Sequence, residues 1–114
     1  MIDVNKIEIE KNNIFNIISA FPQNKEITET LASSESVRIE RIISNGQTTD
    51  DNYWYDQSQN EFVIVLQGDA RLFIENKGAV HLNKGDYLTI PTHCRHKVTY
   101  TSVNPACIWL AVFF

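Results

Sequence analysis

Apolar and polar positions change their period near residue 36. Before it, Asn13-Ile14-Phe15-Asn16-Ile17-Ile18 sets apolar residues at 14, 15, 17 and 18, a spacing that predicts a short helical turn or two. Phe21-Pro22 ends that element, because proline restricts the residue before it and cannot continue a helix. Residues 25–31 predict a second short helix. From Ser36 the period is two: Val37, Ile39, Arg41 and Ile43 alternate with Ser36, Arg38, Glu40 and Ile42. Strands are then expected over 61–66, 70–75, 79–82, 87–90, 96–101 and 106–114. Turn residues separate them at Asn45-Gly46, Gly68-Asp69, Asn76-Lys77-Gly78, Asn83-Lys84-Gly85-Asp86 and Asn104-Pro105. Short strands at about ten-residue spacing predict an all-β sandwich or barrel. No repeat or low-complexity stretch divides the chain. One domain over 1–114 is expected, with a partly helical lead-in over 1–33 covering an end or edge of a barrel over 34–114.

Composition narrows the function classes. The chain has 114 residues, of which 43% are hydrophobic, enough for one packed core. Its net charge is −4 and its ten Lys and Arg are scattered. A nucleic-acid surface needs a basic patch, so no nucleic-acid partner is expected. No apolar run approaches the ~20 residues of a membrane span. MIDVNKIEIE carries acids where a signal peptide carries a basic and then an apolar stretch. A cytoplasmic protein with no membrane partner is therefore expected, with Cys94 and Cys107 as reduced thiols.

Two polar clusters bracket the central strands. Asp56, Gln57 and Glu61 form the first, and His93 and His96 the second. Carboxylate and imidazole groups about 35 residues apart meet only where a sheet curls back on itself, as in a barrel. Strand parity puts His96, Val98 and Tyr100 on one face, with the solvent-like Lys97, Thr99 and Thr101 on the other. His96 should point inward. Parity does not place Glu61, since Phe62, Ile64 and Leu66 make the opposite face apolar as well. Several readings stay open. His93 is a ligand or an exposed turn residue. Glu61 lines a site or pairs with Arg38 or Arg41. Asp56 faces a cavity or bonds its own backbone. Trp54, Tyr55 and Trp109 line a pocket or pack the core.

Gly85-Asp86-Tyr87-Leu88-Thr89-Ile90-Pro91-Thr92-His93-Cys94-Arg95-His96 resembles the second motif of the cupin superfamily. Gly85, Pro91 and His96 match in spacing; His93 stands where the motif has a Gly and Tyr100 where it has an Asn. Glu61 and Gly68 match the second half of the first motif. Its His pair falls instead on Trp54 and Asp56, or on Tyr55 and Gln57. The resemblance covers roughly residues 36–114, and the string Trp54-Tyr55-Asp56-Gln57 is similar to a subgroup of short single-domain cupins.

The resemblance implies a cupin-like double-stranded β-helix, a jelly-roll barrel, holding a divalent metal. Glu61 and His96 would be ligands, with His93 and Asp56 replacing the lost pair. Oxygen and nitrogen donors suit Fe, Mn, Ni or Zn. Tyr100, Arg38, Trp54 and Gln57 would contact a small, anionic or oxygenated molecule. The expected function is a small metal-binding cupin that binds or acts on such a molecule. The alternatives are a metal-free cupin module that binds or senses a small ligand, and a structural barrel filled by side chains. A homodimer is also expected, with the apolar tail over 108–114 serving it or finishing the core.

Overall fold

The computed structural model describes residues 8–17 and 24–114. These form eight strands: β1 (Ile27–Ser33), β2 (Arg38–Ser44), β3 (Glu61–Gln67), β4 (Ala70–Ile74), β5 (Gly78–Leu82), β6 (Tyr87–Ile90), β7 (His96–Thr101) and β8 (Cys107–Phe113). One sheet runs β1-β2-β8-β3-β6 and the other β5-β4-β7. All pairings are antiparallel. Val63, Val65, Ala70, Leu72, Ile74, Leu82, Ile90, Cys107 and Trp109 form the core. This is the expected all-β jelly-roll arrangement.

The N-terminal expectation is corrected. Among the described residues there is no helix. Residues 14 and 15 form only a turn, in which the Phe15 amide donates to Asn13 Oδ1 at 2.8 Å. Ile18, Phe21 and Pro22 lie outside the described residues. The stretch expected as a second helix is strand β1, so the barrel starts at Ile27. Its β-branched Ile27, Thr28 and Thr30 suit a pleated edge, and β2 supplies its ladder. Residues 13–16 cover the outer side of β2: Arg41 Nη1 donates to the carbonyls of Ile14 and Asn16 at 3.0 and 3.1 Å. The same guanidinium grips Glu29 through Nη2 at 2.7 and 2.9 Å.

The tail over 108–114 finishes the core. Strand β8 lies between β2 and β3 and turns Cys107, Trp109, Ala111 and Phe113 inward. Gly68 makes the turn from β3 to β4 at φ +74°, a left-handed value that costs little without a Cβ. A Cβ there would meet Ser102 Oγ at 2.2 Å. That same hydroxyl accepts the Asp69 amide at 3.1 Å.

Candidate functional site

A cavity opens between the two sheets, about 760 Å³ counting its mouth. Every strand except β5 contributes a wall residue, and the connection between β2 and β3 supplies Tyr55 and Gln57. That connection is extended and lies against the edge of β7. Tyr55 and His96 exchange backbone hydrogen bonds at 2.9 and 3.1 Å, the geometry of an antiparallel bridge. Side chains alternate along it. Tyr55 and Gln57 point into the cavity; Trp54 and Asp56 point away from it. Of the first polar cluster, then, Gln57 and Glu61 face inward.

The proposed ligand set separates into two pairs. His96 and Glu61 meet inside, with His96 Nε2 3.4 Å from Glu61 Oε1. Their residues are 5% and 9% exposed. Asp56 and His93 meet outside, Oδ1 to Nδ1 at 2.7 Å, and both are exposed. Parity along the 54–57 segment turns Asp56 outward. His93 occupies the resemblance's glycine position at φ +57°, and its ring projects into solvent. Expectation and structure therefore differ for these two residues: neither reaches the cavity.

Tyr100 and Trp54 are also on the outer surface. Strand β7 carries one extra residue against β4, so Tyr100 pairs with Arg71 while Val98 pairs with Leu72. A bulge of this kind reverses the facing of every residue beyond it. Tyr100 thus lies under the Arg71 guanidinium, 5.1 Å from ring centroid to Cζ. Thr101, expected outside, is buried. Trp54 sits under Arg95 and Lys97, at 4.9 and 4.6 Å. Arg38 does line the cavity. It pairs with neither Glu61 nor His96: its Nε donates to Glu40 at 2.6 Å, and its guanidinium lies 4.3 Å above the Phe113 ring.

Sequence reasoning missed Glu26 and Glu40 as cavity residues. Arg38 and Glu40 are two apart on β2 and share a face, so period two alone makes them neighbours; the choice of inward face was the missing step. Strand β2 turns its polar set inward and packs Ile43 on the other side at 2% exposure. Glu26 is fixed by a relay in which Trp109 Nε1 donates to Ser44 Oγ at 3.2 Å and Ser44 Oγ donates to Glu26 at 2.8 Å.

The electrostatics follow from these contacts. His96 Nδ1 is 3.0 Å from the Cys94 carbonyl, which only accepts, so Nδ1 carries a proton. Nε2 is left to face Glu61. Burial pulls the imidazole's pKa down. The Glu61 contact, the Cys94 carbonyl and the Glu61 charge outweigh it and hold the value above the ordinary 6.5. At 3.4 Å the pair is a charge contact, too long for a well-formed hydrogen bond. Glu61 Oε1 accordingly has no hydrogen-bond partner, and neither does Gln57 Oε1, although both atoms are buried. Tyr55 stacks on His96, with centroids 5.5 Å apart and planes at 26°. Burial first, then Glu26, Tyr53 and Glu61, raise its hydroxyl above the usual range, against a hydrogen bond with Thr49. Burial, with Asp69 and Glu26, pushes the Cys107 thiol up to about 12, so it is inert at neutral pH.

Comparison with known proteins agrees with this fold. Residues 42–113 match the family model described as Cupin domain, and the chain belongs to that family. A solved structure from Ralstonia eutropha JMP134, described as a proposed mannose-6-phosphate isomerase, is 36% identical with a TM-score of 0.86, over 92% of this chain and 97% of that one. A conserved protein of unknown function from Streptococcus pyogenes is 19% identical with a TM-score of 0.73, over 99% and 94%. The iron(II) form of HppE is 20% identical with a TM-score of 0.66, over 78% of this chain and half of that one. The last two likenesses show the fold. No curated protein matches the chain significantly.

The donor set tests the implied metal. His96 and Glu61 meet, and Gln57 lines the same cavity. Among the described residues no group of three or more His, Cys, Asp or Glu side chains comes together. A facial site needs two imidazoles and a carboxylate, and the second imidazole, His93, is outside. These residues do not fit a transition metal of the cupin type.

Proposed function

We propose that the chain is a small-molecule-binding cupin whose pocket works without a resident transition metal. The observation that carries this reading is a pair of buried acceptors, Gln57 Oε1 without a hydrogen-bond partner and Glu61 Oε1 with only the 3.4 Å contact to His96, beside an otherwise apolar floor of Val63, Leu72, Ile90 and Val98. Unpartnered buried acceptors are costly. A ligand that donates hydrogen bonds removes the cost. A largely apolar pocket with a few convergent polar groups is the usual form of a small-molecule site.

His96 and Glu61 add an imidazole–carboxylate pair to the pocket lining. A substrate with a labile proton placed there would meet an acid and a base in contact, the requirement for general acid–base chemistry. Tyr55 holds the imidazole plane by stacking, and Cys94 fixes its tautomer. Arg38 and Glu40 pair with each other on the cavity wall. The test of the pocket is ligand-induced change at Trp109 and His96, measured by fluorescence and NMR, and its weakening in Gln57→Ala.

We propose also that two copies pair through the outer face of the five-stranded sheet. Ile39, Phe62, Ile64, Leu110 and Val112 stay half-exposed there. A contiguous apolar sheet face of this kind favours association.

A further inference from the structure

We infer that the ligand class this pocket takes is a small organic ammonium ion, and that phosphorylated or carboxylated molecules are disfavoured. The inference rests on the pocket being the ligand site, and it deepens that reading.

Charge comes first. Three carboxylates line the cavity, the exposed Glu26 and the buried Glu40 and Glu61, against one guanidinium, Arg38. Arg38 is already engaged by Glu40 at 2.6 Å. The lining carries a net charge of about −2 with His96 neutral and about −1 with it protonated. Charges act strongly across a partly dry cavity, because the effective dielectric constant falls well below that of water. A phosphate dianion entering here meets three lining carboxylates, and the one guanidinium is already paired. An ammonium meets the opposite field.

The second observation is independent of net charge. Glu61 is nine-tenths buried, and its Oε1 has only the His96 Nε2 contact at 3.4 Å, too long for a well-formed hydrogen bond. Gln57 Oε1 is buried and unpartnered. Both are acceptors, so what completes them must donate. An ammonium carries N–H donors and no acceptor, which matches these two acceptors where a phosphate or carboxylate, bearing acceptors, does not. Aromatic walls at Tyr55 and Trp109 add to the match, since ring faces attract cations.

The test is NMR titration of the full-length protein with three probes of similar size: ethanolamine as its ammonium ion, ethylene glycol and inorganic phosphate. His96 ring resonances report the pocket, while His81 and His93 are outside it and serve as internal references. Ethanolamine should shift His96 saturably and bind about tenfold more tightly than ethylene glycol, with no shift from phosphate. Glu40→Gln removes a carboxylate and frees Arg38, so it should weaken ethanolamine about tenfold and admit phosphate. Equal binding of glycol and ethanolamine, or phosphate binding to the wild type, would overturn the ammonium class while leaving the pocket reading in place. No shift of His96 by any probe at saturating concentration would overturn both.

Discussion

His96 Nε2 faces Glu61 Oε1 at 3.4 Å across the barrel, while Nδ1 of the same ring is held by the Cys94 carbonyl at 3.0 Å. One residue comes from the start of β7 and the other from the start of β3, and the curl of the sheets brings them together. Burial pulls the His96 pKa down, but the Glu61 contact and the Cys94 carbonyl hold it above its ordinary value in the folded state. Glu61 from β3, Tyr55 from the connection before it, and Arg38, Glu40 and Glu26 across the cavity are the charged or titratable groups facing it.

A pH dependence follows from that direction. The raised value belongs to the folded state. The stabilisation is therefore complete below the unfolded imidazole's pKa of about 6.5 and is lost as pH rises through the folded value. Urea denaturation at a series of pH values should show stability declining over that interval. In Glu61→Gln the carboxylate charge is gone and burial dominates, so the His96 pKa should drop below its wild-type value by NMR titration. An unchanged value would mean that Glu61 does not set it.

Asp56 and His93 pair with each other in solvent, so Asp56→Asn and His93→Ala should leave pocket binding unchanged. Gln57→Ala should weaken it by about tenfold, the effect of losing one buried hydrogen bond of roughly 1–1.5 kcal/mol. Isothermal titration with ethanolamine compares the three. Loss of binding in either outer variant would contradict the separation of the two pairs.

Gly68→Ala should destabilise the fold by about 2 kcal/mol or more, combining a left-handed backbone with a collision. The collision partner, Ser102 Oγ, also accepts the Asp69 amide, so it cannot move freely. Ser102→Gly in the Gly68→Ala background should recover part of the loss, and thermal unfolding reads both. Equal stability of Gly68→Ala and wild type would contradict the turn's geometry.

Light scattering should give about twice the 13.1 kDa chain mass. Phe62→Lys and Ile64→Lys place charges on the outer sheet face and should reduce it to one chain mass. A monomeric wild type at high concentration would remove the dimer proposal.

Much of this arrangement was legible in the sequence, for identifiable reasons. Gly68-Asp69, Asn76-Lys77-Gly78 and Asn83-Lys84-Gly85-Asp86 punctuate the chain, so strands β3 to β6 could be placed from turn chemistry. His96 was placed inward by parity because it begins its strand, before the irregularity. Tyr100 was misplaced because one extra residue at the middle of β7 reverses parity, and such a bulge leaves no mark in composition. Residues 25–31, expected as a short helix, fall largely in strand β1 because β2 supplies a ladder for it. Its cavity-lining residue, Thr28, is polar, and so conceals the period of two. Gln57 and Asp56 could not be told apart until the Tyr55–His96 bridge fixed the facing of their segment.

The most direct test of the account is the metal content of the purified wild-type protein, with Glu61→Ala and His96→Ala beside it, by elemental mass spectrometry. The samples are measured as isolated and after incubation with iron, manganese, nickel and zinc followed by desalting. The account predicts well under one metal per chain in every sample, with ethanolamine still shifting the His96 resonances of the wild type. Near-stoichiometric metal in the wild type, lost in both variants, would contradict it and make Glu61 and His96 metal ligands.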